Sequence, residues 1–283
     1  MHPLEHIIAR ALQEDVGDGD HTSLACIPET AKGSAVLTIK ETGILAGVDV
    51  ARQVFFQVDP TLQFQKLIDD GTRVKPGNVV FEVMGSSRSI LTGERLALNF
   101  MQRMSGIATQ TRRLVSLIEG TKAKILDTRK TSPNLRLLEK MAVRIGGGEN
   151  HRFGLYDMIM IKDNHIDFAG GIRQAIDAAQ DYLQKNRKDL AIEIEVRNFD
   201  ELSQVLDRGG VQRIMLDNFS PANLQKAVET IAGRYETEAS GGITEQTIRA
   251  YAETGVDYIS VGALTHHIRS VDMSLGAHVG ARG

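Results

Sequence analysis

The spacing of apolar residues changes character once along the chain. Over residues 34–83 they fall in short β-rich runs: Ala35-Val36-Leu37-Thr38-Ile39, Leu62-Gln63-Phe64 and Val79-Val80-Phe81-Glu82-Val83. Gly43, Gly47, Gly71 and Pro76-Gly77 punctuate them, as turns do between strands. The Gly71–Gly77 stretch has some look of a biotinyl-type turn. No Met-Lys-Met acceptor follows, so it reads as a plain β-turn. From about Thr92 to Ile118, Leu96, Phe100, Ile107, Leu114 and Ile118 fall near helical spacing. That predicts a long helix, which Ser105-Gly106 could interrupt.

From residue 122 the pattern becomes regular. Short apolar runs at Ala123–Leu126, Met158–Ile161, Ile192–Val196, Arg213–Leu216, Thr237–Ala239 and Tyr258–Val261 each end in polar or glycine residues. Amphipathic helical stretches follow most of them. Ser132-Pro133 predicts an N-cap and a proline at the first helical position, ahead of Leu135, Leu138, Met141, Ala142 and Ile145. Asn198 with Glu201 resembles a capping box, and Ser220-Pro221 repeats the start signal before Leu224, Val228 and Ile231. Markers at the run ends, Lys130, Lys162, Glu195, Asp217, Ser240 and Gly262, are separated by 32, 33, 22, 23 and 22 residues. Each gap suits one strand-helix unit. Six in series predict either a β/α barrel or a doubly wound sheet. Reactive residues follow every strand, as they do on the C-terminal rim of a barrel, and this favours the barrel.

Composition narrows the function. With 42% apolar and 24% charged residues, the chain can build an ordinary core. A net charge of −3 gives no broad attraction to nucleic acid or an anionic membrane, so any anion site is local. The absence of Trp argues against stacking platforms for single-stranded nucleic acid. No apolar run approaches a bilayer span, and the N-terminus shows no signal-peptide pattern. The lone Cys26 can form no internal disulfide, which fits a reducing, cytoplasmic setting.

The strand ends carry the candidate chemistry. Asp127-Thr128-Arg129-Lys130-Thr131 pairs two cations with hydroxyls, which suits a polyanion and equally a solvated basic loop. Gly146-Gly147-Gly148-Glu149-Asn150-His151-Arg152 combines a flexible backbone with two donors, although a triple glycine also serves as a helix C-cap. Lys162-Asp163-Asn164-His165 offers an anion contact, a Schiff-base lysine or a structural corner. Glu193 and Glu195 share one face of a strand, pointing into the barrel, where charge needs a partner or a metal. Glu195 and Asp217 on neighbouring strand ends suit ribose hydroxyls or Mg²⁺ carrying a pyrophosphate; the alternative is a buried ion pair of the glutamates with Lys162 or Arg129. Ser240-Gly241-Gly242 and Val261-Gly262-Ala263-Leu264-Thr265-His266 could cradle a phosphate through backbone N–H groups. Taken together these residues describe a phosphosugar enzyme without naming its reaction.

Further motifs occur in the same order: Glu14-Asp15-Val16-Gly17-Asp18-Gly19-Asp20-His21-Thr22-Ser23, Leu91-Thr92-Gly93-Glu94-Arg95, Asn99 and Ser105-Gly106-Ile107-Ala108-Thr109. With the strand-end motifs, Leu216-Asp217-Asn218-Phe219 among them, they resemble the quinolinate phosphoribosyltransferase family over nearly the whole chain. The resemblance implies an incomplete β/α barrel over 111–269. An N-terminal α/β domain over 1–110 would be joined by the tail 270–283. It implies a homodimer or larger homo-oligomer with a shared active site, in which Arg95 reaches the neighbouring subunit's quinolinate. Arg129, His151, Arg152 and Lys162 would line the quinolinate pocket. Thr128, Lys130, Glu195, Asp217, Ser240, Gly241, Gly242, Val261, Gly262, Ala263 and His266 would hold phosphoribosyl pyrophosphate. Glu195 and Asp217 would bind Mg²⁺ directly or through water. Lys130, Glu195 and Asp217 would act in catalysis. Three rivals are a paralogue acting on another acid, a Schiff-base aldolase using Lys162, and a metabolite-binding regulator on a dead scaffold. The intact acid-pocket cations argue against the first, the paired acids against the second and the complete site against the third.

Overall fold

A computed structural model describes residues 3–278; residues 279–283 of the expected tail lie outside the described residues. In chain order the elements begin α1 (Pro3–Val16), α2 (His21–Cys26), β1 (Lys32–Ile39), β2 (Gly43–Ile44), α3 (Val48–Val58), β3 (Gln63–Lys66), β4 (Arg73–Val74), β5 (Val79–Ser86) and α4 (Ser87–Leu117). Next come β6 (Lys124–Leu126), α5 (Arg136–Ile145), β7 (Ile159–Ile161), α6 (Asp163–Ala169), α7 (Ile172–Asn186), β8 (Ile192–Val196), α8 (Phe199–Arg208) and β9 (Arg213–Asp217). The chain closes with α9 (Pro221–Ile231), β10 (Glu236–Ser240), α10 (Ile248–Ala252), β11 (Tyr258–Ser260), α11 (Ala263–His266) and β12 (Met273–His278). It packs as two compact units. The first comprises Met1–Arg112, Thr131–Gly147 and Leu264–Gly283; the second comprises Arg113–Lys130 and Gly148–Ala263.

The first unit is built on an antiparallel sheet in the order β12-β1-β5-β3. β1 buries Ala35, Leu37 and Ile39, the period of two that a one-sided sheet requires. α3 buries Ala51, Val54 and Phe55 at helical spacing. Phe55, Phe64 and Phe81 cluster there, with Phe64 and Phe81 4.5 Å apart between ring centroids. β12 completes the sheet against β1, with Leu275 opposite Leu37.

The long helix α4 is continuous through Ser105-Gly106, which does not interrupt it. Ser105 is buried; its hydroxyl accepts from the Ala46 N–H at 3.0 Å and donates to the Ala46 carbonyl at 3.2 Å. A Cβ at Gly106 would overlap the Arg269 carbonyl oxygen, so the residue is small because another chain segment crosses there. The next helix starts later than Ser132-Pro133 predicts. α5 begins at Arg136, while the Ser132 hydroxyl accepts from Arg103 at 2.8 Å and its N–H donates to Glu139 at 3.1 Å. The ion pair of half-buried Arg103 with buried Glu139 has captured the expected cap.

The second unit holds six parallel strands in the order β6-β11-β10-β9-β8-β7. The last strand, β11, pairs with the first, β6, as barrel closure demands and a doubly wound order does not. No ladder joins β6 to β7 among the described residues, so the barrel is incomplete at that seam. Its strands are buried on both faces: Ile192, Ile194 and Val196 of β8 alternate with Glu193 and Glu195. Asn198 caps α8 by accepting the Glu201 N–H at 2.9 Å, and the Glu201 carboxylate accepts from the Arg197 N–H at 2.7 Å. Ser220 caps α9 with Pro221 in its first turn, as the Ser-Pro signal predicts.

Candidate active site

The parallel register brings most of the predicted residues to one rim. Glu195, Asp217 and Ser240 lie on the C-terminal halves of the neighbouring strands β8, β9 and β10. Val261-Gly262 follows β11, and the Val261 N–H donates to the Leu126 carbonyl at 3.0 Å. Thr128-Arg129-Lys130 follows β6, and Lys162 follows β7. Arg95, exposed on α4, and His266, exposed at the end of α11, belong to the first unit.

The two acids occupy one electrostatic field. Lys162 Nζ lies 3.3 Å from Glu195 Oε2, so the ion pair weighed against a ligand role is present. Burial pushes the Glu195 pKa up, Lys162 opposes the shift, and the Asp217 charge adds to it. Burial also raises Asp217, against an Asn218 amide that donates to it at 2.6 Å. Two partly accessible carboxylates that disfavour each other's charge are a fitting seat for a hard cation or for sugar hydroxyls. Asn218 adopts a left-handed φ of 57°, and its N–H donates to the Ser240 carbonyl at 2.9 Å. Gly241, at φ 101°, lies so close that a Cβ would collide with the Asn218 side chain and amide nitrogen. Gly241 is therefore small because Asn218 packs against it, whereas Gly242 faces open space and adopts a left-handed φ of 57°.

Opposite these acids stand cations. Arg152 has its pKa lowered, first by burial and then by the nearby Arg129 guanidinium. Two guanidiniums that disfavour each other's charge suit a carboxylate or phosphate that relieves the repulsion. Arg152 also donates to the Met158 carbonyl at 3.2 Å. The exposed Lys130 is held at its backbone, where its N–H donates to Thr128 Oγ1 at 3.0 Å. In the Lys162–His165 run, His165 Nδ1 accepts the Lys162 N–H at 2.9 Å, so this polar corner is partly structural.

His151 points inward. Segment 149–151 is stitched to β6: the Asp127 N–H donates to the Glu149 carbonyl at 3.2 Å and the His151 N–H to Asp127 Oδ1 at 2.8 Å. His151 Nε2 lies 2.9 Å from Glu193 and 3.4 Å from Glu238. Glu238 in turn lies 3.3 Å from Arg213. Burial opposes charge on the ring, but the two acids outweigh it and push the His151 pKa up to about 9. The Arg152 N–H, 2.7 Å from Nδ1, instead favours a ring with its only proton on Nε2. In either state Nε2 carries a proton and faces the acids. Burial and the Glu238 charge push Glu193 up to about 7, while His151 and Arg213 pull it down.

Glu238 and Arg213 were not singled out by the sequence reading. Thr237–Ala239 looks like an apolar run, and Arg213 looks like its neighbour's polar edge. A signal existed in the period of two: Glu238 shares a strand face with Ser240, and Arg213 shares one with Asp217.

The comparisons with known proteins agree along the chain. Residues 107–276 match the quinolinate phosphoribosyl transferase C-terminal domain, and residues 20–105 match the N-terminal domain of the same family. A Nicotiana glauca protein named quinolinate phosphoribosyltransferase [decarboxylating] 1 is 46% identical, over 97% of this chain and 83% of its own. The crystal structure of NadC from Streptococcus pyogenes superposes with a TM-score of 0.92 at 41% identity, covering 97% of this chain and 96% of that one. The nicotinate-nucleotide pyrophosphorylase structure from Francisella tularensis gives 0.91 at 43% identity, covering 98% and 96%. The chain belongs to the quinolinate phosphoribosyltransferase family.

Proposed function

We propose that this enzyme transfers the phosphoribosyl group of phosphoribosyl pyrophosphate to the ring nitrogen of quinolinate, releasing pyrophosphate and CO₂ and leaving nicotinate mononucleotide for NAD synthesis. What supports the assignment of residues is that Arg129, Lys130, Lys162, Glu195, Asp217 and the glycine-rich turns all fall at or just after the C-terminal ends of the parallel strands. Quinolinate has two carboxylates, and Arg129, Arg152 and Lys162 supply fixed positive charge for them. His151 shapes the floor of that pocket, and Arg95 of the partner subunit adds a further cation. Thr128, Ser240, Gly241, Gly242, Val261, Gly262, Ala263 and His266 hold the phosphates. Lys130 takes up charge on the departing pyrophosphate. Glu195 and Asp217 hold the ribose hydroxyls and stabilise positive charge at C1′ as the C1′–oxygen bond breaks.

Glu195 and Asp217 also fit Mg²⁺, since their oxygens are hard and their charges mutually unfavourable without a cation. When bound, Mg²⁺ neutralises pyrophosphate charge. After transfer the ring nitrogen is positive. The C2–carboxylate bond then breaks, its electron pair stays on C2, and a proton takes the place of CO₂. Lys162 faces a carboxylate rather than the apolar or cationic surroundings that free a lysine amine, which disfavours the Schiff-base reading.

Self-association is part of this reading. Leu155, Tyr156 and Phe168 of the second unit are 72%, 71% and 93% exposed, apolar side chains that a second copy of the chain would cover. The exposed free thiol of Cys26 suits the cytoplasm. No helix among the described residues is long and apolar enough to cross a membrane.

The test is chromatography of products from phosphoribosyl pyrophosphate and Mg²⁺ with quinolinate or nicotinate. Nicotinate mononucleotide from quinolinate alone supports the proposal. Turnover of nicotinate instead would overturn the acid-pocket assignment.

A further inference from the structure

The barrel interior below the rim contains charge that the proposed reaction does not use. Glu193, Glu238 and His151 are all buried, and their ligand atoms lie within 4.8 Å of one another. Arg213 reaches Glu238 at 3.3 Å and pairs with Glu236 at 2.9 Å. Burying two carboxylates costs several kcal/mol each unless partners offset it, so such a cluster persists only if well matched. A packed apolar layer would fill the same space more cheaply.

The geometry shows what the cluster holds. His151 lies in the segment that runs beside β6, at the seam the barrel leaves open. Its Nε2 is anchored to β8 through Glu193 and approaches β10 through Glu238. Its Nδ1 accepts the N–H of Arg152. The imidazole therefore links the barrel wall to the backbone of Arg152, whose charge is disfavoured by the Arg129 guanidinium. We propose that Glu193 and Glu238 are positioning residues: they fix His151 from inside the barrel and through it set Arg152 for the acid substrate. This rests on the proposed quinolinate pocket.

The inference separates the two substrates. Glu193 and Glu238 share strands β8 and β10 with the donor residues Glu195 and Ser240, but their charged contacts are with His151 and Arg213, so a loosened His151 should weaken quinolinate recognition more than donor binding. Glu193→Leu and Glu238→Leu should each raise KM for quinolinate by about tenfold or more, as expected for a buried polar partner left unpaired. KM for phosphoribosyl pyrophosphate should stay within about twofold. Glu193→Gln keeps an acceptor for Nε2 but loses the charge, and should show a smaller rise confined to the quinolinate KM; that selective rise carries the test if the Leu variants fail to fold. Calorimetric titration of quinolinate should show the same selective weakening without turnover.

Equal changes in both KM values, or none in well-folded variants, would overturn the inference. So would stoichiometric divalent metal in the purified protein that Glu193→Gln removes, because the three groups would then be ligands. Wild-type protein that neither binds nor turns over quinolinate would instead overturn the proposed function.

Discussion

Lys130 is exposed at the rim, and its backbone N–H is tied to Thr128 Oγ1. Lys130→Ala should lower kcat by about 100-fold or more if the side chain takes up leaving-group charge. The melting temperature should hardly move; near-normal turnover would remove Lys130 from the mechanism. Asp257 illustrates the opposite balance, stability without chemistry. Its carboxylate accepts from the Thr237 N–H and hydroxyl at 2.9 and 2.7 Å and from Lys122 at 2.8 Å. Burial would raise its pKa, but these partners hold it below 3.8. A depressed acid stabilises the fold above its unfolded pKa, and that contribution is lost as pH falls through the folded value. Asp257→Asn should cost about 1–3 kcal/mol at pH 7, and the difference from wild type should shrink in acid melts below about pH 4. At this scale the strand-end residues were legible because their types stand out after apolar runs. Glu238 was not, because a charge inside a barrel is found from its strand face and its partners, not from its neighbours in sequence.

Helices and strands follow period and capping wherever no tertiary contact competes. Asn198 and Ser220 cap their helices as their sequences predict. Ser132 does not, because Arg103 and Glu139 claim it, and a pair 36 residues apart leaves no local signal. The Ser105-Gly106 pair looks like a helix break and is instead a crossing point. The two effects of Gly106→Ala can be weighed. Alanine gains about 1 kcal/mol of helix propensity. Its Cβ would overlap a backbone carbonyl, Arg269 O, which cannot rotate away as a side chain can. Overpacking of this kind costs about 1–3 kcal/mol, so the variant should melt below wild type. A higher melting temperature would show that the crossing segment yields easily.

At the scale of the whole molecule, the spacing of six strand ends predicted a barrel or a doubly wound sheet, the reactive residues after the strands favoured the barrel, and the β11–β6 pairing is that of a barrel. The sequence did not reveal that Thr131–Gly147, read as part of the barrel series, packs with the first unit. That depends on which faces of α4 and α5 meet, and amphipathic spacing gives a face without its partner. The shared site can be tested at the same scale. Arg95→Ala and Lys162→Ala homo-oligomers should each be nearly inactive. Mixed dimers would hold one site with both substitutions and one intact site. Random reassociation of equal amounts should therefore restore about a quarter of wild-type activity. No recovery in demonstrably mixed dimers would argue that each chain completes its own site.

The most direct measurement of the central claim follows the carboxyl carbon. Quinolinate labelled with ¹³C at the 2-carboxylate would be incubated with the protein, phosphoribosyl pyrophosphate and Mg²⁺. The account predicts labelled CO₂ and pyrophosphate in equal amounts, with unlabelled nicotinate mononucleotide. Label retained in the nucleotide, or pyrophosphate released without a nucleotide product, would contradict it.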